Sequence, residues 1–402
     1  MSHRTVIVSF ARTPIGKFLG KLSSVKAPEL GATAIKGALS KASGSSDQLP
    51  ITIAEAYMGN VVSAGIGQAP CRQAVLGAGL PESTVCTTIN KVCASGMKSV
   101  MLASQAIAAG YGGKKSGLIA GGFEAMSNIP HYLLNSRTGT SLGNSQLIDG
   151  LVSDGLWDPY SDQHMGLCAE KCARDYSITR EEQDAYCIES YNRAKEAIEY
   201  GYFKDEIVPV EIAQRRGDPI LVADDEEPGA LKIEKVPSLR PAFQKDGGTV
   251  TAANASSIND GAAAMLLMEE ESAKQLGLEP LARILGYGDA EQAPVDFTTA
   301  PAKAVPVALK NAGLHETDVE YHEINEAFSV VALANMKILN LDPSKVNVFG
   351  GAVALGHPIG CSGSRIIGTL YSVLKHSDAS IGCASICNGG GGASAIVIER
   401  LK

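Results

Sequence analysis

Short β-branched runs alternate along the chain with longer, alanine-rich stretches of helical period, the texture of an α/β protein. Thr5–Ser9 (Thr-Val-Ile-Val-Ser) reads as a buried strand, and Ala54–Met58, Thr84–Ile89 and Gly117–Gly121 as further strands. Between them, Glu29–Lys41 carries Leu30, Thr33, Ala34 and Gly37 at helical spacing. Ala94–Ala109 predicts a second helix, with Met97, Val100, Met101, Ser104, Ile107 and Ala108 as its inner stripe and Gly110 as its stop.

From about Phe123 the pattern changes. Residues 123–165 are irregular, with Pro130, Pro159 and scattered Gly, Asn and Ser. Thr179–Tyr200 predicts a charged amphipathic helix opened by a capping box, Thr179 with Glu182 three residues on. An acidic turn, Asp224–Pro228, follows, so 123–248 reads as an inserted, loop-rich region. Regular texture returns at Thr249–Asn254 and Ala262–Met268. Helices are expected at Pro301–Ala312, Glu326–Leu339 and Ser362–Lys375, and strands at Ile381–Ile386 and Ala393–Ile398. Each end of the chain sets a chemically suggestive loop beside a strand, which hints at two similar halves.

Length and composition narrow the class. A chain of 402 residues suits two to three domains, and 45% hydrophobic with 19% charged residues is an ordinary globular balance. The net charge of -8 argues against nonspecific nucleic-acid binding. Nine cysteines, an odd number spread over the whole chain, fit a reducing compartment better than a disulfide scaffold. The pairs Cys168/Cys172 and Cys383/Cys387 lack a second pair at zinc-site spacing. No signal peptide, membrane-length apolar run or peroxisomal C-terminus is legible, so the expected compartment is the cytoplasm, without membrane association.

Four positions carry candidate chemistry. Cys93 lies between the strand Thr84–Ile89 and a long helix, where the helix dipole and free N–H groups favour a thiolate; a buried structural cysteine is the plain alternative. His357, in Gly356-His357-Pro358, sits in a loop without hydrophobic period and could relay a proton, or be a surface histidine. Cys387 ends an apolar strand and opens the run Gly389–Gly392, whose N–H groups could face an oxyanion or merely turn a hairpin. Asn325 follows a strand-like stretch, Glu320–Ile324, and could cap a helix or fix a water in the site.

Over its whole length the chain resembles the thiolases. The resemblance rests on Ala11–Gly16, Asn90–Met97, Gly121–Met126, Asp162–Gly166, Thr251–Ser256, Asn325–Phe328, Gly350–Pro358 and Cys387–Gly389, in that order and spacing. It is nearest to the biosynthetic acetoacetyl-CoA thiolases of cytosolic type. It implies two similar βαβαβαββ halves layered α-β-α-β-α, one from 1–122 with 249–275 and the other from 276–402, with 123–248 inserted as a loop domain over the CoA site. It implies condensation of two acetyl-CoA to acetoacetyl-CoA and CoA through an acetyl-cysteine, feeding mevalonate and sterol synthesis. The alternative is a degradative 3-ketoacyl-CoA thiolase of broader chain length.

In that scheme Cys93 is the nucleophile, His357 activates it, and Cys387 is the second acid/base. Asn325 holds a water, and the N–H groups of Cys93 and Gly389 hold the oxyanion. Ser256 touches pantetheine, Leu156, Ala327 and Phe328 line its tunnel, and His164 and Met165 wall the acyl pocket. Tyr191, Ala252, Ala253, Ala255 and Val353 match a potassium site of some relatives. Many relatives carry an arginine on the CoA nucleotide where this chain reads Pro228–Lys232; Lys232, Lys235 or Arg215/Arg216 are the substitutes at hand. No cofactor is needed for the chemistry beyond CoA as substrate and product, and a homotetramer is expected, with 130–146 as a candidate contact.

Overall fold

The computed structural model describes residues 4–44, 49–139 and 142–401. The N-terminal half runs β1 (Thr5–Arg12), α1 (Ala27–Ser43), β2 (Thr52–Gly59), α2 (Pro70–Gly77), β3 (Val85–Ile89), α3 (Ser95–Ala108) and β4 (Ser116–Ala125). A long excursion carries α4 (Met165–Asp175) and α5 (Arg180–Glu199) before the chain returns as β5 (Asn259–Glu269). The C-terminal half runs β6 (Ala282–Glu291), α6 (Pro301–Ala312), β7 (Tyr321–Ile324), α7 (Ser329–Leu339), α8 (Ile359–His376), β8 (Ile381–Asn388) and β9 (Gly392–Arg400).

The strands lie in the order β3-β2-β4-β5-β1-β6-β9-β8-β7, with Gly16–Lys17 paired to β5 beside that path. Each half repeats one pattern. β2 and β4 are parallel, and β4–β5 and β5–β1 antiparallel; β7 and β8 are parallel, and β8–β9 and β9–β6 antiparallel. The place of β3 in the second half is kept by a single parallel bridge, His322↔Val346. The strands of the two halves pair at Val6↔Arg283 and Ile7↔Ala282, a short seam that lets the two sheets stack.

Helices α3 and α8 fill the space between the sheets. A Cβ on Gly368 of α8 would sit 2.0 Å from the Phe10 ring of β1, whereas one on Gly382 of β8 would meet Leu370 at 2.6 Å. The same helix therefore packs on both sheets. Helix α1 covers the outer face of the first sheet and α6 that of the second, giving five layers. Burial on both faces explains why all eight residues of β1 are buried and why its sequence does not alternate.

The halves also match residue by residue. Gly59 pairs with Gly122 and is followed by Asn60; Ile324 pairs with Ser385 and is followed by Asn325. Counting two residues on along β4 and β8, Glu124 stands where Cys387 stands. Glu124 is buried and accepts N–H bonds from Val61 (2.9 Å), Val62 (3.2 Å), Gly360 (3.0 Å) and the Asn60 amide (3.0 Å).

Residues between β4 and β5 add no strand to the large sheet; they form α4, α5 and three two-stranded ribbons. Buried Arg12, at the end of β1, ties this excursion down through Glu206 (2.8 Å) and Asp225 (2.7 Å). Three sequence expectations shift. Thr249–Asn254, expected as regular texture, is a turn closed by the Thr251 N–H on Asn254 Oδ1 (2.8 Å) and the Ala255 N–H on the Thr251 carbonyl (3.0 Å). The helix expected from Glu326 starts at Ser329, so Asn325 does not cap it. The helix expected from Ser362 starts at Ile359, because Pro358, with φ -66°, presets its first turn. β6, α2 and α4 were not anticipated.

Candidate active site

Cys93 and His357 occupy the same place in the two repeats, each two residues before a central helix. The helix ends are pressed together. A Cβ on Gly96 would lie 2.8 Å from the Ser364 nitrogen, and one on Gly363 would lie 2.4 Å from the Met97 nitrogen. Two positive helix termini thus point at one spot.

The Cys93 turn is held by its own side chains. The Val92 N–H donates to Asn90 Oδ1 (3.0 Å), the Lys91 N–H to Ser95 Oγ (2.9 Å), and Ser95 Oγ donates to the Val92 carbonyl (2.6 Å). Val92 has φ +47°, a left-handed conformation that costs energy at a β-branched residue. The strain sits immediately before the sulfur.

His357 is buried, and its tautomer follows from its partners. Ser362 Oγ donates to the Pro358 carbonyl (3.0 Å), so it accepts from His357 Nδ1–H (2.6 Å). The proton is therefore on Nδ1, and Nε2 is left bare, 3.5 Å from the Asn325 amide nitrogen. Asn325 Oδ1 is buried without a protein partner. The backbone N–H of His357 donates to Asn259 Oδ1 (2.9 Å). Burial, with the nearby Arg365 charge, pushes the imidazole down to about 3, so it rests neutral.

Cys387, at the end of β8, is fully buried. Burial lifts its pKa well above the ordinary thiol value, and the Cys93 sulfur lifts it further, which brings the two sulfurs into each other's field. The β8–β9 hairpin turns through Gly390 (φ +89°) and Gly391 (φ +95°); at Gly391 a Cβ would come within 2.2 Å of the Gln292 carbonyl. This turn sets Gly389 beside the Cys93 loop, where a Cβ would lie 3.5 Å from Val92 Cγ1 and from Met165 Cε. Burial pushes the Cys93 thiol up to about 11, and the N–H groups of Gly389 and of Cys93 itself work against that rise.

A polar clamp joins the two loops. Lys91 Nζ donates to Asp289 Oδ1 (2.5 Å), Ser394 Oγ (3.1 Å) and the carbonyl of Ala393 (3.3 Å), which pairs with Cys387 across the hairpin. Lys98 Nζ reaches the other Asp289 oxygen at 2.6 Å.

Cys93 and His357 line one cavity of about 540 Å³. Leu156, His164, Met165, Ser256, Ala327 and Phe328 line it too. The His164 Nδ1 accepts the Gly166 N–H (3.0 Å), capping α4, and its ring stacks on Phe243 at 4.6 Å. Ser256 Oγ donates to the Ala327 carbonyl (2.9 Å). Lys232 and Lys235 are exposed and do not line the cavity; Lys17 and Phe18 do.

Profiles of the thiolase N-terminal domain and thiolase C-terminal domain match residues 5–271 and 278–400. The chain belongs to the thiolase family. It is 56% identical to "Acetyl-CoA acetyltransferase ERG10, cytosolic" of Gibberella zeae, covering 98% of each chain. It is 54% identical to "Acetyl-CoA acetyltransferase, mitochondrial" of Bos taurus, covering 99% of this chain and 92% of that one. The solved structure of Acat5 thiolase from Ascaris suum in complex with coenzyme A superposes with a TM-score of 0.92 at 47% identity, over 99% of this chain and 100% of that one.

Sequence reasoning about this thiolase missed Ser362, Asn259, Phe243 and the Lys91–Asp289 clamp. Ser362 had a signal: a hydroxyl five residues after the histidine, in the first turn of a helix, can turn back to it. Asn259, Phe243 and Asp289 act across long sequence separations that no local pattern reports. Of the expected cation-site residues, Tyr191, Ala253 and Val353 share one buried cluster, and Ala252 and Ala255 line the cavity. A phenol and neutral carbonyl oxygens are a hard donor set suited to an alkali cation. Among the described residues no cluster of three or more His, Cys, Asp or Glu could hold a metal, and no helix is long and apolar enough to cross a membrane.

Proposed function

We propose that this chain condenses two molecules of acetyl-CoA to acetoacetyl-CoA and CoA. The observation that carries the reading is that Cys93 and His357 line one apolar cavity, with Asn325 against the imidazole and with Cys387 and Gly389 packed against Met165 of its wall. Relatives named acetyl-CoA acetyltransferases at 54–56% identity support it.

Both sulfurs start as thiols. His357 Nε2 takes the Cys93 proton as the sulfur attacks the thioester carbonyl, and the N–H groups of Cys93 and Gly389 receive the oxyanion. CoA thiolate leaves and takes its proton from Cys387. This leaves acetyl-Cys93, an imidazolium and a Cys387 thiolate. The second acetyl-CoA gives a methyl proton to Cys387, and its enolate oxygen is stabilised by the His357 imidazolium and a water on Asn325. The carbanion attacks acetyl-Cys93, acetoacetyl-CoA departs, and the Cys93 thiolate recovers its proton from His357. Cys93 recovers its own proton, the Cys387 proton departs on CoA, and the methyl proton of the second acetyl-CoA replaces it. The high pKa of Cys387 suits this order, because it acts first as acid and only then as base.

Ser256, Leu156, Ala327 and Phe328 would hold pantetheine, with His164 and Met165 closing the acyl end; Lys232 and Lys235 are assigned to the nucleotide outside the cavity. Tyr191 and the carbonyls of Ala252, Ala253, Ala255 and Val353 would hold a potassium ion that orders this wall. Residues 1–122 with 249–275 and residues 276–402 are taken as the two catalytic halves, with 123–248 as the insertion over CoA. We also place the protein in the cytosol, feeding mevalonate and sterol synthesis, as a homotetramer. The cytosolic fungal relative supports the compartment; exposed Leu133, Leu134 and Leu147, next to the paired strands His131–Tyr132 and Ile148–Asp149, support the assembly. Cell fractionation and sedimentation test these.

The deciding experiment incubates the enzyme with acetyl-CoA alone and follows both acetyl-Cys93 and acetoacetyl-CoA. Acetylation with release of CoA, then condensation, is the expected course. An enzyme that cleaves a C8 3-ketoacyl-CoA faster than acetoacetyl-CoA would be of the degradative type instead.

A further inference from the structure

We infer that Cys71 and Cys86 form a site of reversible oxidation, closing to an intrachain disulfide when the protein meets a hydroperoxide. The pair lies in the N-terminal half, outside the cavity described above. Cys71 is in the first turn of α2 and is 1% exposed; Cys86 is on β3, the edge strand of the sheet, and is half-buried.

Two anchors set α2 over the strand. Cys71 Sγ lies 3.4 Å from the Ala56 carbonyl oxygen, and Ala56 is the residue paired with Cys86 across β2–β3. The Cys71 N–H donates to Thr88 Oγ1, two residues beyond Cys86, at 3.1 Å. Both thiols therefore pack against Ala56, one from the helix and the other from the neighbouring strand. Arg72 completes the site: its guanidinium is fixed by the carbonyls of Thr84 (2.8 Å) and Glu82 (2.7 Å) and stands 4.0 Å from Cys86 Sγ.

The arrangement divides the work. The Cys71 neighbour and the Arg72 guanidinium lower the Cys86 thiol, so it is the more readily ionised of the two, whereas the Cys86 neighbour and then burial keep Cys71 a thiol. Cys86 thiolate attacks the outer oxygen of the hydroperoxide, the O–O bond breaks, and an alcohol, or water from hydrogen peroxide, leaves with Cys86 as sulfenic acid. Cys71 sulfur then displaces hydroxide, which departs as water with the Cys71 proton. Two thiols lose two electrons to one O–O bond. The catalytic thiols, both raised by burial, are poorer peroxide nucleophiles.

The test treats the full-length protein at pH 7 with one equivalent of hydrogen peroxide, then denatures it, alkylates and maps the peptides. Expected is the loss of two of the nine alkylatable thiols, a linked Cys71–Cys86 peptide, intact Cys93, and full recovery in dithiothreitol. Cys86→Ser abolishes the link and leaves basal condensation unchanged. Cys71→Ala leaves a Cys86 sulfenic acid that dimedone traps, a readout that holds should the serine variant fold poorly. First loss of Cys93 or Cys387, absence of any thiol loss, or a Cys86 sulfinic acid beside free Cys71 would each overturn the proposal.

Discussion

Iodoacetamide should label Cys93 at a rate that climbs about tenfold per pH unit between pH 7 and 10. Burial opposes charge on both partners, raising the Cys93 thiol to about 11 and lowering the His357 imidazolium to about 3. Moving the proton from sulfur to nitrogen in the resting site therefore costs on the order of 10 kcal/mol. The resting pair is a neutral thiol and a neutral imidazole, and thiolate at pH 7 amounts to roughly one part in ten thousand. Proton transfer must then accompany attack on the thioester rather than precede it. Peptide mapping separates Cys93 from Cys86, whose thiol is lowered by its Cys71 neighbour and the Arg72 guanidinium and should label faster at neutral pH. His357→Asn should leave the alkylation profile almost unchanged yet slow acetylation by acetyl-CoA roughly 10²–10⁴-fold. A Cys93 labelling rate that is flat from pH 6 to 9, and that collapses in His357→Asn, would indicate a preformed ion pair and refute the reasoning.

Other outcomes follow from the same geometry. Cys387→Ala should slow the first turnover yet still accumulate acetyl-Cys93 by mass spectrometry, while acetoacetyl-CoA formation stops; condensation at the normal rate would remove Cys387 from the mechanism. Ser362→Ala removes the acceptor that holds the proton on Nδ1 and should lower kcat on the order of a hundredfold with little change in KM, with Ser362→Thr restoring most of it. Lys91→Met releases the clamp on Asp289 and the hairpin, so kcat should fall more than affinity for CoA, as read by calorimetry. Gly122→Ala would place a Cβ 1.9 Å from the Gly360 carbonyl, and should cost about 3 kcal/mol or more, read as a lowered denaturant midpoint.

How much was legible in the sequence depended on distance along the chain. The Cys93 turn and the glycine hairpin could be read because strand, turn and helix signals lie within a few residues of each other. α2 was missed because it is a short helix of eight residues with little stripe to detect. β6 was missed because Gly286 and Gly288 interrupt its apolar run; they are there because a Cβ at either would strike α6 at 2.5–2.6 Å. Asn325 looked like a helix cap because it follows a strand and precedes an apolar run, but the chain first bends at Ala327, whose N–H donates to the Asn325 carbonyl, and the helix starts only at Ser329, which frees the amide to face His357. The motifs located the reacting groups; Asn259, Phe243 and Asp289, which orient them, come from parts of the chain that carry no motif.

The position that holds Cys387 in one repeat holds Glu124 in the other, and its four N–H bonds leave that carboxylate no freedom to react. The reaction consumes two copies of the same molecule, yet one must become an electrophile and the other a nucleophile. A perfectly twofold pocket could not tell them apart. Divergence at the matched positions, Glu124 against Cys387 and Cys93 against His357, breaks the equivalence, so the order of events is written into the asymmetry of the two copies of the fold.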